Sequence, residues 1–272
     1  MIQADSYASY QKSPYRSVKH STYFDTYDHL FGPYRNRPIT FVEIGVLGGG
    51  SLFMWRDFLG PDARIIGVDL NPNARKWEAH GFEIFIGSQS DEAFWAGFKR
   101  KVGPMDVVLD DGGHTYEQQI LTTECLLDGL ADGGILVVED THTSYMQGFG
   151  APRFSFMAYV KQVMDGINYR FGQFSDERAE TRVWSVEIME SMVAFRVNHQ
   201  ATALKSEPTD NQGQDDQATD FRYEGNIALK RHTRIERKLR HLDRIPLVRR
   251  LSAFIKRWSA EKRFKSTRFF WK

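Results

Sequence analysis

Two short acidic clusters each end in a histidine: Asp110-Asp111-Gly112-Gly113-His114 and Glu139-Asp140-Thr141-His142. Carboxylates packed together without a cation repel and raise one another's pKa, so clusters that meet in space imply a shared proton or a bound metal. A hard oxygen donor set suits Mg2+, with Mn2+ or Ca2+ as substitutes. Asp111, Glu139 and Asp140 are the expected ligands. An ion held there would lower the pKa of a substrate hydroxyl, with Asp111 in the catalytic centre and His114 taking the proton as general base. His142 is a second candidate base. One aspartate after a strand is commonly just a helix cap, so the metal reading rests on both clusters facing each other.

A second constellation lies upstream, in Glu43-Ile44-Gly45-Val46-Leu47-Gly48-Gly49-Gly50-Ser51. Its glycines allow the backbone to pass close beneath a ligand and to present amide groups at a helix start; Gly45, Gly49 and Ser51 are the candidate contacts. Asp69 ends the next apolar run, where a carboxylate can accept from both hydroxyls of a ribose. The pair indicates a nucleoside cofactor. Glu43 would repel the pyrophosphate of a nicotinamide dinucleotide but favours the ammonium and sulfonium charges of S-adenosylmethionine, so methyl transfer is preferred over hydride transfer. Ser88 and Gln89 are expected beside the adenine, with Asp110 also on the cofactor side. Alternatively, Ser90 or Asp91 there simply caps the following helix.

The elements that must position these groups are legible between Ile39 and Val138. Apolar runs at 39–46, 64–70, 83–86, 105–109 and 135–138 alternate with helical spacing at 51–59, 91–101 and 116–130, the rhythm of parallel βαβ units. Gly133-Gly134 is expected to stop the last helix. A helix over 154–164 and a hairpin, 183–188 with 191–197, complete the expected fold. That fold is α/β, a Rossmann-like doubly wound sheet of parallel strands with one antiparallel strand from the terminal hairpin. Residues 1–38, with six tyrosines, form an N-terminal cap segment over the mouth of the site, 39–198 the catalytic domain, 199–222 a flexible linker and 223–272 a basic helical tail.

The run Val107-Val-Leu-Asp-Asp-Gly-Gly-His114 with Gly134-Ile-Leu-Val-Val-Glu-Asp140 resembles the metal-dependent sugar O-methyltransferases of the macrocin and mycinamicin type, and their relatives labelled cephalosporin hydroxylases. Glu43-Ile-Gly45 and Gly49-Gly50-Ser51-Leu-Phe-Met-Trp55 are similar to the same group, and the likeness spans about residues 16–197. The resemblance implies Mg2+ on Asp111, Glu139 and Asp140, His114 as base, S-adenosylmethionine as methyl donor, a sugar or glycosylated acceptor and a homo-oligomeric assembly. A catechol-type O-methyltransferase and a non-catalytic binding protein of the same fold are the alternatives.

The formal charge of the 272 residues is only +1, but residues 229–272 carry +13 and residues 1–228 carry −12. Pro246 opens a basic amphipathic helix with Leu247, Val248, Leu251, Phe254, Ile255 and Trp258 on one side, followed by Phe269-Phe270-Trp271. An anionic membrane surface is its expected partner, ahead of the acidic body or a neighbouring subunit, and nucleic acid is disfavoured because no RNA- or DNA-binding motif accompanies the charge. A membrane partner would suit lipid-linked sugar acceptors. The lone Cys125 excludes an internal disulfide. No apolar run reaches the length of a spanning helix, so the expected location is the cytoplasm, with peripheral association at the inner face of the membrane.

Overall fold

A computed structural model describes residues 3–172, 174, 178–214, 221, 224–240 and 246–270. The chain divides into two units, Met1–Pro208 and Thr209–Lys272.

In the first unit, helices α1 (Asp5–Lys12) and α2 (Tyr23–Phe31) precede the sheet. The alternation then runs β1 (Thr40–Ile44), α3 (Gly50–Leu59), β2 (Arg64–Asp69), β3 (Glu83–Ile86), α4 (Glu92–Val102), β4 (Met105–Asp110), α5 (Tyr116–Leu126), β5 (Leu130–Val138), α6 (Phe156–Tyr169), β6 (Ser185–Met189), β7 (Met192–Arg196) and α7 (His199–Ala203). The sheet order is β3-β2-β1-β4-β5-β7-β6. Strands β1 to β5 are parallel, and β7 runs against both β5 and β6. This is the doubly wound sheet with one reversed strand that the apolar rhythm predicts.

Period-two alternation explains why these runs are apolar throughout. Phe41, Ile65, Leu109 and Val137 face a core shared with Phe24, Tyr27, Phe31 and Trp55, whereas Val42, Ile66, Val108 and Leu136 face Trp95, Phe98, Leu126 and Phe156. Strands covered on both sides have no solvent face on which to place polar residues. Residues of α2 are thus part of the main core, not only a cover over the cleft. Local signals mark the helix starts: Asp91 caps α4 through Ala93 N and Phe94 N, and Thr115 with Gln118 forms a reciprocal capping box on α5.

Gly133-Gly134 does not stop a helix. The α5 helix ends at Leu126, a 3-10 turn covers Leu127–Gly129, and the pair lies inside β5 near the register break against β4. Gly133 adopts φ +81° and its N–H donates to Val197 O at 3.0 Å. Its conformational freedom serves the irregularity in the β4–β5 pairing instead of a helix terminus. A 3-10 stretch, Pro72–His80, also forms where the sequence signalled no regular element.

The second unit contains α8 (Ile227–Leu239), which lies within the expected helical tail ahead of the helix opened by Pro246, α9 (Pro246–Arg263) and a 3-10 turn, Lys265–Phe270. The α8 and α9 helices pack on each other; His232 Nδ1 and Ser259 Oγ are 3.2 Å apart, and the His232 ring lies 5.3 Å from that of Phe264. Leu251, Phe254, Trp258, Phe269 and Phe270 remain exposed. Trp271, the side chain of Leu247, and residues 215–220 and 222 of the expected linker lie outside the described residues. The first five residues of that linker are α7. No helix among the described residues is long and apolar enough to cross a membrane.

Candidate active site

The sheet order reverses between β1 and β4, so the loops after these two strands diverge to opposite faces and leave a crevice at their C-terminal ends. A cleft of about 480 Å³ opens there, with Gly45, Asp69 and Ser88 toward one end and Asp111, His114 and Asp140 toward the other.

The glycine loop is held by backbone and carboxylate together. Gly45 takes φ +92° against the backbone of Asp111, and a Cβ on it would overlap the Asp111 carbonyl oxygen. Asp69 Oδ2 accepts from both Val46 N and Leu47 N at 2.9 Å, and its Oδ1 accepts from Asn71 N at 2.7 Å. The carboxylate therefore shapes the loop as well as lining the cleft. Gly49, at φ +78°, lies beneath the Trp77 indole.

Several expected cofactor contacts are placed elsewhere. Glu43 is fully buried and accepts from Ser51 Oγ at 2.8 Å and Trp55 Nε1 at 3.1 Å. Neither Glu43 nor Ser51 lines the cleft, and Gly49 and Asp110 do not either. The reason is strand parity: Glu43 points to the face covered by α3, while Ile44 and Gly45 reach the cleft. Burial, opposed by Lys19, lifts the Glu43 pKa to about 7. Asp110 is equally enclosed, and burial raises it to about 7 despite hydrogen bonds from Gln89 and Gly112. Gln89 does line the cleft, yet its amide is engaged internally: Nε2 donates to Asp110 Oδ1 at 3.0 Å and Oε1 accepts from Gly113 N at 2.7 Å. It ties the loop after β3 to the loop after β4. Ser88 lines the cleft and accepts from Ser90 N at 3.2 Å, and Asp91 is the α4 cap.

The two acidic clusters do converge. Asp111, His114 and Asp140 each offer a ligand atom within 4.8 Å of the others'. His114 Nε2 lies 3.3 Å from Asp140 Oδ2 and 4.0 Å from Asp111 Oδ1. His114 and Asp140 both adopt left-handed backbone conformations, at φ +58° and +55°. Such strain persists only where surrounding structure enforces it. Thr143 Oγ1 supplies part of that restraint, donating to His114 O at 3.1 Å and to Asp140 O at 2.9 Å.

Three residues from the segment before the first strand complete this end. Lys19 Nζ lies 2.6 Å from Asp111 Oδ2 and 3.2 Å from Glu139 Oε2. Tyr27 Oη donates to Glu139 Oε1 at 2.6 Å, and Tyr23 Oη donates to Asp140 Oδ1 and accepts from Ser191 Oγ at 2.9 Å. Burial and then Asp111 hold the Glu139 pKa well above the ordinary carboxylate value. Burial disfavours the Lys19 ammonium, but Asp111, Glu139 and Glu43 outweigh it and its pKa rises. Sequence reasoning missed these residues; their signal is the four-residue spacing of Lys19, Tyr23 and Tyr27, which places both phenols on one side of α2. His142 stands at the rim, its Nδ1 3.9 Å from Asp140 Oδ1.

Two hard carboxylates and an imidazole whose ligand atoms lie within 4.8 Å of one another make a donor set for a divalent cation of the Mg2+ or Mn2+ kind. The crevice, the glycine loop and Asp69 fit a nucleoside cofactor.

A family model described as a methyltransferase domain matches residues 42–141, the span that contains both the glycine loop and the acidic clusters. Over these residues the chain is similar to methyltransferase domains. It is 35% identical over 160 residues to the 8-demethyl-8-alpha-L-rhamnosyl tetracenomycin-C 2'-O-methyltransferase of Streptomyces olivaceus, covering 54% of this chain and 42% of that protein. It is 36% identical over 131 residues to the mycinamicin VI 2''-O-methyltransferase of Micromonospora griseorubida, covering 46% and 32%. The chain thus spans less than half the length of these curated relatives. Among solved structures it is similar to MycE methyltransferase from the mycinamycin biosynthetic pathway in complex with Mg and SAH. That match has a TM-score of 0.66 and 24% identity, covering 77% of this chain and 56% of that one. This likeness is one of fold and reaches beyond residues 42–141.

Proposed function

We propose that this chain is an S-adenosylmethionine-dependent O-methyltransferase acting on a hydroxyl of a sugar or glycosylated acceptor, with Mg2+ at the acidic cluster. The observation that carries it is one cleft joining the Asp69-pinned glycine loop to Asp111, His114 and Asp140. The curated relatives, named for methyl transfer to rhamnosyl and mycinamicin hydroxyls, support the acceptor class.

Within this reading Gly45, Asp69 and Ser88 meet the cofactor, Asp69 accepting from its ribose. Glu43, Ser51, Gly49, Gln89 and Asp110 shape and charge the wall behind it. Asp111 and Asp140 hold the cation, joined by Glu139. Bound there, the ion supplies Lewis-acid polarisation of the acceptor hydroxyl. His114 Nε2 would take the hydroxyl proton, and bound S-adenosylmethionine would supply the methyl group, its carbon–sulfur bond breaking as the carbon–oxygen bond forms and S-adenosylhomocysteine being the leaving group. His142 at the rim is the reserve base. Incubation with labelled S-adenosylmethionine and a rhamnosylated acceptor tests the reading: label should enter the sugar, and EDTA should abolish transfer. Metal-independent transfer to a catechol would support the alternative enzyme class, and cofactor binding without turnover the non-catalytic one.

For the tail, exposed Leu251, Phe254 and Trp258 alternating with Arg249, Arg250 and Arg257 favour an anionic membrane surface. This would place a cytoplasmic enzyme at the inner face of the membrane, beside lipid-linked glycans and their biosynthesis. Deleting residues 229–272 should abolish sedimentation with anionic liposomes while sparing transfer to a soluble acceptor. A homo-oligomer belongs to the same proposal and is read by light scattering.

A further inference from the structure

Lys19 lies in the strap 13–22 between α1 and α2, and its side chain is only 2% exposed. Its Nζ donates to Asp111 Oδ2 at 2.6 Å and to Glu139 Oε1 and Oε2 at 3.3 and 3.2 Å. An ion bridging Asp111 and Glu139 would stand about 2.0–2.2 Å from an oxygen of each. An ammonium at hydrogen-bonding distance from the same oxygens fills that position, so the two cations exclude each other.

Asp111 divides its oxygens, with Oδ2 on Lys19 and Oδ1 toward His114. While Lys19 stays, the available donor set is Asp111, His114 and Asp140. A histidine that donates its Nε2 lone pair to a metal cannot use that nitrogen as a base. Once Lys19 leaves, Glu139 can replace His114 in the set.

We propose that Lys19 is a displaceable counter-ion of the metal site: a divalent cation binding Asp111, Glu139 and Asp140 expels its ammonium, and His114 is thereby freed to act as the base. The proposal rests on the metal-assisted reading above. The strap is joined to the glycine loop by Ser13 Oγ, which donates to Gly50 O at 2.7 Å, and braced by Tyr10 Oη, which donates to Ser17 O at 3.0 Å. Expulsion of Lys19 therefore loosens a cover that also contacts the cofactor loop. Lys19 is a positioning residue, acting through Glu139 and His114.

The test is Mn2+ titration of the full chain by electron paramagnetic resonance, with hydrogen exchange of residues 15–22, for the wild type, Lys19→Met and Lys19→Arg. Lys19→Met should bind Mn2+ at least about tenfold more tightly than the wild type, and Lys19→Arg no more tightly. Removing a charge could raise affinity without any displacement, and exchange separates the two effects: Mn2+ should speed exchange of the wild-type strap severalfold. The wild type supplies this readout even if a variant misfolds. Equal Mn2+ affinity of wild type and Lys19→Met, or strap exchange that Mn2+ slows, overturns displacement while leaving the metal site standing. Failure of all three proteins to bind Mn2+ removes the metal reading and this proposal with it.

Discussion

Tyr27 Oη donates to Glu139 Oε1 at 2.6 Å, joining α2 to the end of β5 across 112 positions of sequence. Both groups are buried, so the bond is made where water cannot replace it. Tyr27→Phe keeps the ring against Trp55 and Phe31 but strips Glu139 of one of its donors. The variant should lose about 1–2 kcal/mol in urea unfolding.

Gly45 brings the cofactor loop onto the backbone of Asp111 at a φ that side chains rarely adopt. Gly45→Ala should destabilise the protein by about 2–3 kcal/mol through overlap and strain. Its affinity for S-adenosylmethionine, measured by calorimetry on the fraction that folds, should fall as well.

Asp69 holds two loop amides and faces the cleft. Asp69→Ala removes this pin together with the acceptor offered to the ribose. The dissociation constant for S-adenosylmethionine should rise at least about tenfold, the equivalent of one or two lost hydrogen bonds.

His114→Ala should lower kcat by about 10²- to 10⁴-fold in the labelled transfer assay, the range of general-base catalysis, while cofactor affinity stays near that of the wild type. His142→Ala should cost far less. Equal losses from the two substitutions would reassign the base.

Glu43 titrates near pH 7 in the fold against an ordinary value of 4.5. A raised carboxyl pKa means that its contribution is fully present below about pH 4.5 and is lost as pH rises through 7. Glu43→Gln removes this titration. Its stability relative to the wild type should improve by roughly 2–3 kcal/mol between pH 5 and pH 8, as read by paired urea melts.

The parallel strands and the meeting of Asp111, His114 and Asp140 were legible because both follow from local pattern plus crossover geometry. Apolar runs name the strands, and parallel strands carry their C-terminal loops to one edge. What strand parity does to Glu43 is also implicit in the alternation of β1, and Ser51, in the first turn of α3, follows it inward by donating to that carboxylate. Lys19, Tyr23 and Tyr27 were not legible in the same way. They reach the acidic cluster from before the first strand, and no local period encodes which strand end a preceding helix will cover. Gly133-Gly134 misled because a left-handed glycine satisfies a strand irregularity as well as a helix terminus.

The contact of Gly45 with Asp111 is made by main chain on both sides. The approach of the glycine loop to the loop after β4 is then set by the frame of the sheet, independently of the side chains at the cleft mouth. If the proposed function holds, substitutions at cleft-lining Val18, His20 and Leu47 should change which acceptor is taken while that approach stays fixed. A scaffold of this kind can change clientele by drift at its edge.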